Sequence, residues 1–426
     1  MEELMLILEV IGGGRELASA TDDIKKLRSG TSHSQSGKGA KSLGNDKKVP
    51  ENLEENGYIF REMIIPTNAP KTTADHPGLA VLTSVPPIHT TGEKTDPNSH
   101  TVWITCAESK ARYFAKGWPK PVPKIPNKVV VKETDDDMGL GVFATRDIKQ
   151  FELVLVERPY LVYPKGIGAV SLTDKATREL TKSQYFQLGL IQAEKLLERV
   201  MKDWMTEEAR KGYMELANSH KHDGSGPIDG ILRTNGYAVM FGDKMHGFDE
   251  DFYRGYSAVS RIGSRLNHSC ISNVSVGFDA ATFTICFKAK RDIKAGSQIF
   301  TSYTQILQSK ADRQAALAPY EITECKCRAC VNATPQSDKL RQVCLKMIWN
   351  WRNQSMEVWP KDPKLNESVL TPLLEMKKRM EEEGLDDEKC GYPLLYQIMH
   401  RVYLQVHQFK FLRHKVLQFP SVSCHQ

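Results

Sequence analysis

Three cysteines, Cys325, Cys327 and Cys330, stand in one short segment and constrain the fold more than any other feature of the sequence. A structural zinc ion is held tetrahedrally by four ligands. Three thiols this close therefore need a fourth partner from elsewhere in the chain. The chain has nine cysteines, an odd number. Glu2, Glu3 and Glu9 stand where a secretory leader would carry positive charge, so a secreted disulfide framework is not expected. No run approaches the ~18 consecutive apolar residues of a membrane span. A reducing setting, the nucleus or the cytoplasm, is the expectation.

Order is expected to begin near Asn127. Residues 18–56 are rich in Ser, Gly, Lys and Asp, lack aromatics, and read as disordered. Residues 59–105 are broken by Pro66, Pro70, Pro77, Pro86, Pro87 and Pro97 and read as a loosely packed extension. Seven basic residues between Lys110 and Lys132 are interleaved with Tyr113, Phe114 and Trp118. We read them as a solvated, proline-broken linker rather than a nucleic-acid patch, and the mild net charge of +6 adds nothing to the latter. Val129-Val130-Val131 predicts a strand, Gly139-Leu140-Gly141 a turn, and Leu153–Val156 a further strand ended by Pro159. Between residues 173 and 219 the period becomes helical, with Phe186, Leu190, Ala193, Leu197 and Val200 on one face. Phe283, Ile285 and Phe287 then alternate with Thr284, Cys286 and Lys288 as in a strand. Leu395, Ile398, Met399, Val402, Val406 and Phe409 trace one face of a C-terminal helix. One short repeat occurs: Ala144-Thr145-Arg146-Asp147-Ile148-Lys149 returns as Ala289-Lys290-Arg291-Asp292-Ile293-Lys294. It predicts two similar turn-joined strand pairs in a β-rich core interrupted by helices.

The densest chemistry lies in Leu266-Asn267-His268-Ser269-Cys270-Ile271-Ser272-Asn273. As a bare turn it would need only its Asn and Ser side chains, which cap backbone groups. Three other elements stand in register with it: the upstream Gly139-Leu140-Gly141, the downstream segment 296–303 ending in Ser302-Tyr303, and the three-cysteine cluster. Together they resemble the SET-domain protein lysine methyltransferases, in particular the fungal type of the SET-and-MYND branch, over residues 127–335. The MYND finger is not expected, because Cys106 alone among cysteines precedes Cys270. The resemblance implies an α+β class: a β-rich SET fold with a pseudoknot, a helical insertion, a post-SET zinc loop and a C-terminal helical region. The corresponding boundaries are 1–126 for the extension and 127–308 for the SET domain, with its insertion at about 166–245. The post-SET segment follows at 309–335 and the helical region at 336–426.

By that resemblance Gly139, Leu140, Gly141, Asn235, Asn267, His268 and Tyr303 map to contacts with S-adenosylmethionine. Tyr303 maps to the catalytic tyrosine, and Tyr320 to a second tyrosine at the lysine channel. Cys270 maps to the fourth zinc ligand beside Cys325, Cys327 and Cys330. The residue types suit the task. Glycine allows close backbone approach, a carboxamide donates and accepts at once, and rings attract cations. Residues 248–256 and Phe300 are further candidates for the channel. The implied partner is a protein lysine, in a histone or another basic protein; neither a membrane nor direct nucleic-acid binding is expected. The competing reading is a catalytically silent SET-fold scaffold, but a scaffold needs none of Asn267, His268 and Tyr303. The chain departs from the family pattern in three places: Ser272 replaces a proline, Gln298 replaces an acidic residue, and one extra residue separates Tyr320 from Cys325.

Overall fold

Short β-branched and aromatic runs build the frame of the molecule. The computed structural model describes residues 49–59, 65–66, 80–88, 99–114, 117–135, 138–164, 172–240, 255–362 and 365–407. The expected disorder at 18–48, the N-terminal apolar run, Phe409 and the channel candidates at 248–254 lie outside the described residues. The strands are β1 (Ile65–Pro66), β2 (Ala80–Val85), β3 (Thr101–Cys106), β4 (Val129–Glu133), β5 (Leu140–Ala144), β6 (Leu153–Glu157) and β7 (Leu161–Pro164). After the insertion follow β8 (Gly236–Met240), β9 (Gly255–Val259), β10 (Asn267–His268), β11 (Val274–Asp279), β12 (Thr284–Ala289) and β13 (Gln298–Thr301). They form three sheets, ordered β1-β2-β3-β7-β9-β8, β10-β13-β5-β4 and β11-β12-β6. The last two enclose a common core of Val142, Ile148, Val154, Leu266, Val274, Ile285, Phe287 and Ile299. This mixed α+β arrangement is the class expected.

Helices begin where the sequence supplies caps. Between β3 and β4 stands α1 (Ala107–Tyr113); the insertion after β7 holds α2 (Asp174–Glu179), α3 (Lys182–Trp204), α4 (Glu207–Met214) and α5 (Pro227–Asn235). Thr173, Thr181 and Thr206 cap α2, α3 and α4, and Thr181 forms a reciprocal capping box with Gln184. Leu190, Ala193, Leu197 and Val200 are buried as expected, but Phe186 is exposed. It lies in the first turn of α3, beneath the Arg233 guanidinium. Downstream stand α6 (Lys310–Leu317), α7 (Arg328–Val331), α8 (Pro335–Asn353), α9 (Leu370–Glu382) and α10 (Tyr392–His407). Leu395, Ile398 and Val402 of α10 pack on Cys344 and Ile348 of α8 and on Leu373, Met376 and Met380 of α9. Among the described residues no helix is long and apolar enough to cross a membrane.

Four local expectations are corrected. The region before residue 127 is not loosely packed: β2 and β3 pair along their whole length, and β3 runs parallel to β7. Among the described prolines, Pro86 and Pro87 follow the end of β2 and Pro66 closes the two-residue β1, positions at which a strand tolerates proline. Nor is the stretch after β3 a solvated linker, because Trp103, Tyr113, Phe114 and Trp118 gather around Phe283. The helical insertion ends at Asn235, and Gly236–Met240 is a strand paired with β9. Phe283 precedes β12 and holds a left-handed backbone (φ 56°), so the turn there fixes it in the aromatic cluster rather than in the strand alternation.

The repeat proves to be one contact made twice. Ile148 and Ile293 exchange both backbone hydrogen bonds at 2.8 Å. Lys149 pairs with Asp292 and Lys294 with Asp147, and each aspartate also accepts a backbone N–H across the pair, from Gln150 and Ala295. The two copies face one another about a local two-fold axis rather than forming separate strand pairs.

Candidate active site and metal centre

The segment that carries Cys270 is held by the pairing of β10 with β13. β10 lies parallel to β13, with Asn267 opposite Phe300 and His268 opposite Thr301. Asn273 locks the crossing: its amide donates to Gln298 O (2.9 Å), and its oxygen accepts from Phe300 N–H (2.8 Å). Two backbone groups of β13 depend on that one side chain. Asn273→Ala should therefore destabilise the protein by about 1–3 kcal/mol for each orphaned group, read as a lower denaturant midpoint.

On the other side β13 pairs with β5, which brings in the Gly-x-Gly segment. Gly139 holds a left-handed backbone (φ 70°). A Cβ on Gly141 would stand 2.6 Å from Gln298 Nε2, 2.8 Å from Thr134 Cγ2 and 3.2 Å from Asn267 Nδ2, so only glycine fits. Asn267 Nδ2 donates to Leu140 O (3.2 Å). Gly141, Leu140 and Asn267 thus meet. Beside them Gln298 Nε2 and Thr134 Oγ1 are buried without a hydrogen-bond partner.

His268 joins this cleft to the cysteines. Its Nδ1 accepts from Tyr303 N–H (3.0 Å), which places the ring proton on Nε2, 3.4 Å from Cys270 Sγ. Burial holds its pKa down to about 4, so the ring is neutral and makes one contact in each direction. Both nitrogens are engaged within the protein, and the imidazole acts as a bridge.

Tyr303 donates its hydroxyl proton to Leu266 O (2.7 Å). Burial, and then the neighbouring Tyr320, push its pKa well above that of an ordinary phenol. It stays protonated at neutral pH. Tyr320 packs against it with ring centroids 4.9 Å apart. Glu321, the next residue, turns left-handed (φ 59°).

The four predicted cysteines come together. Cys270, Cys325, Cys327 and Cys330 have sulfur atoms all within 4.8 Å of one another. Tetrahedral ligands at ~2.3 Å from a zinc ion stand ~3.8 Å apart, so this group fits zinc. Cys270 and Cys330, at 3.6 Å, are too far apart for a disulfide, and all four thiols are free. Cys286 and Cys344 lie elsewhere, on β12 and within α8.

Two candidate residues are engaged within the protein. Asn235 commits both amide protons to Ala217 O (2.7 Å) and Ile231 O (2.8 Å), within the insertion. Among the described residues no hydrogen bond ties its side chain to Asn267 or Tyr303. Tyr256 packs on Trp103, and its hydroxyl meets that of Thr105 (2.9 Å). Two residues after Asn235, Tyr237 stands close enough for Tyr303 to raise its pKa further, and donates to Gly263 O (2.7 Å). Ser272, in the proline position, is buried and accepts from Lys290 Nζ (2.7 Å), which replaces ring rigidity with a hydrogen bond.

Residues 139–304 match the SET domain family. The histone-lysine N-methyltransferase set5 of Schizosaccharomyces pombe is 28% identical over 138 residues, 32% of this chain and 38% of that protein. The N-lysine methyltransferase SMYD2-A of Xenopus laevis is 34% identical over 90 residues, 21% of this chain and 20% of that protein. The chain thus spans well under half the length of these curated relatives. A crystal structure of the SET domain of LSMT bound to lysine and AdoHcy aligns over 67% of this chain and 90% of that one, at 13% identity and a TM-score of 0.28. The meeting of Gly-x-Gly, Asn-His and tyrosine at one strand crossing, in the segment the family spans, establishes that residues 139–304 of this chain are a SET domain.

Proposed function

We propose that the protein is an S-adenosylmethionine-dependent protein-lysine N-methyltransferase acting on a histone or another basic protein. The observation that carries this reading is the convergence of Gly141, Asn267 and Tyr303 on the crossing of β10 and β13. The cleft suits the zwitterionic tail of S-adenosylmethionine, because the unpartnered Gln298 Nε2 and Thr134 Oγ1 flank the Gly141–Asn267 contact. When bound, that cofactor supplies an electrophilic methyl group on a sulfonium. Tyr303 has given its one proton to Leu266 O, so its oxygen offers only lone pairs to an approaching cation. Tyr237, with its proton on Gly263 O, is left in the same state. The raised pKa of Tyr303 excludes it as a base at neutral pH; it orients. The lysine, with a free pKa of ~10.4, must lose its proton through desolvation, which the adjoining rings of Tyr303 and Tyr320 promote. The cysteine group reads as structural zinc beneath this floor, and its free thiols suit the nucleus or the cytoplasm.

Calorimetry with S-adenosylmethionine and transfer of labelled methyl groups to histones and to cell lysate test the proposal. Binding without transfer to any protein would select the scaffold reading. Asn267→Ala should weaken cofactor binding by ~1.5–3 kcal/mol, the usual value of a hydrogen bond to a charged group. An unchanged affinity would remove Asn267 from the cofactor site.

A further inference from the structure

Arg313 is wholly buried beside the cysteines, and its surroundings do not balance its charge. It projects from α6; Nη1 donates to Gln308 O (2.5 Å) and Nη2 reaches Cys330 Sγ (3.6 Å). Its Nε is buried without a partner. Among the described residues the one carboxylate within ion-pair reach is Asp338, at 3.9 Å. That carboxylate is partly solvated and already accepts from Lys310 N–H (2.8 Å). A buried guanidinium is costly unless paired, and one carbonyl, one distant carboxylate and a single sulfur contact leave its Nε without a partner.

Four thiolates around one divalent cation change the balance, since together they carry a net charge of minus two. We propose that Arg313 is the counter-charge of the metal centre: a positioning residue that neutralises part of that charge and donates an N–H to the Cys330 thiolate. This rests on the reading of the four cysteines as a zinc site and extends it to a residue that touches neither the cofactor cleft nor the tyrosines. Arginine suits the task better than lysine, because its planar fork serves Gln308 O and Cys330 Sγ at once. A hydrogen bond to a ligand sulfur also fixes the ligand's orientation, as outer partners do in other metal sites.

The test measures zinc in the purified full chain by elemental analysis, and its affinity by competition with a chromogenic chelator. Arg313→Met should lower zinc affinity ~10–100-fold, the usual effect of losing such a partner. Arg313→Lys keeps the charge in the same place and should lose less, which also covers the case in which Arg313→Met does not fold. Asp338→Asn should leave the affinity unchanged. Wild-type affinity in both Arg313 variants would overturn the proposal. So would a loss in Asp338→Asn equal to that in Arg313→Met, because Arg313 would then act only as a structural ion-pair partner. A wild-type chain that takes up no zinc would instead overturn the metal reading itself, a distinct result.

Discussion

Tyr303→Phe is expected to lower methyl transfer by ~10²–10³-fold, the usual cost of deleting one positioned polar group at a reacting centre. Affinity for S-adenosylmethionine should stay within a few-fold, because the ring and its packing on Tyr320 and His268 remain. The change strips Leu266 O of its donor, so a modest loss of stability should accompany it, ~1–3 kcal/mol. Single-turnover transfer from labelled cofactor measures the first effect and calorimetry the second. Activity near wild type would remove Tyr303 from the reaction, whatever happens to stability.

Cys270→Ser is expected to drop zinc well below one per chain and to lower methyl transfer with it, although Cys270 touches no substrate. The connection is short. Cys270 faces His268 Nε2, and His268 Nδ1 holds the backbone of Tyr303. Metal binding is also coupled to the folding of the segment that supplies the ligands, here the one that carries Tyr320 to its place on Tyr303. Cys286→Ser and Cys344→Ser are the controls and should keep their metal. Elemental analysis of the three variants decides it; full zinc in Cys270→Ser would mean that another residue completes the site.

The site was more legible than the frame that holds it. Cysteine spacing alone called for a fourth ligand from elsewhere in the chain, and Asn267, His268 and Gly141 are residue types whose chemistry is local. Asn273 stood in the motif, yet its work as a clamp on Gln298 and Phe300 belongs to a strand more than twenty residues away. β2 and β3 were hidden because proline content was read as disruption, whereas position relative to a strand end decides what proline does. Tyr237 gained its place from the pairing of β8 with β9, which no local pattern announces. Arg313 resembled any arginine on a polar helix, Lys-Ala-Asp-Arg-Gln-Ala-Ala-Leu. Only the packing of α6 on the cysteine group shows that its charge is buried.

The facing copies of the repeat bear on how such a chain tolerates change. Lys294 and Asp147 lie 147 positions apart in sequence, yet their contact and its mirror image fasten the two ends of that span to each other. For a flexible connection, doubling its length adds only ~0.6 kcal/mol of closure entropy. The helices of the insertion, held in a loop whose ends are already fastened, can therefore lengthen, shorten or change their outer face at little thermodynamic penalty. The fastening carries the opposite liability. Contacts so distant in sequence form late, since closure entropy is spent before they give any return. Substitutions at Ile148 or Ile293 should therefore act on folding yield and rate before any effect on chemistry is felt.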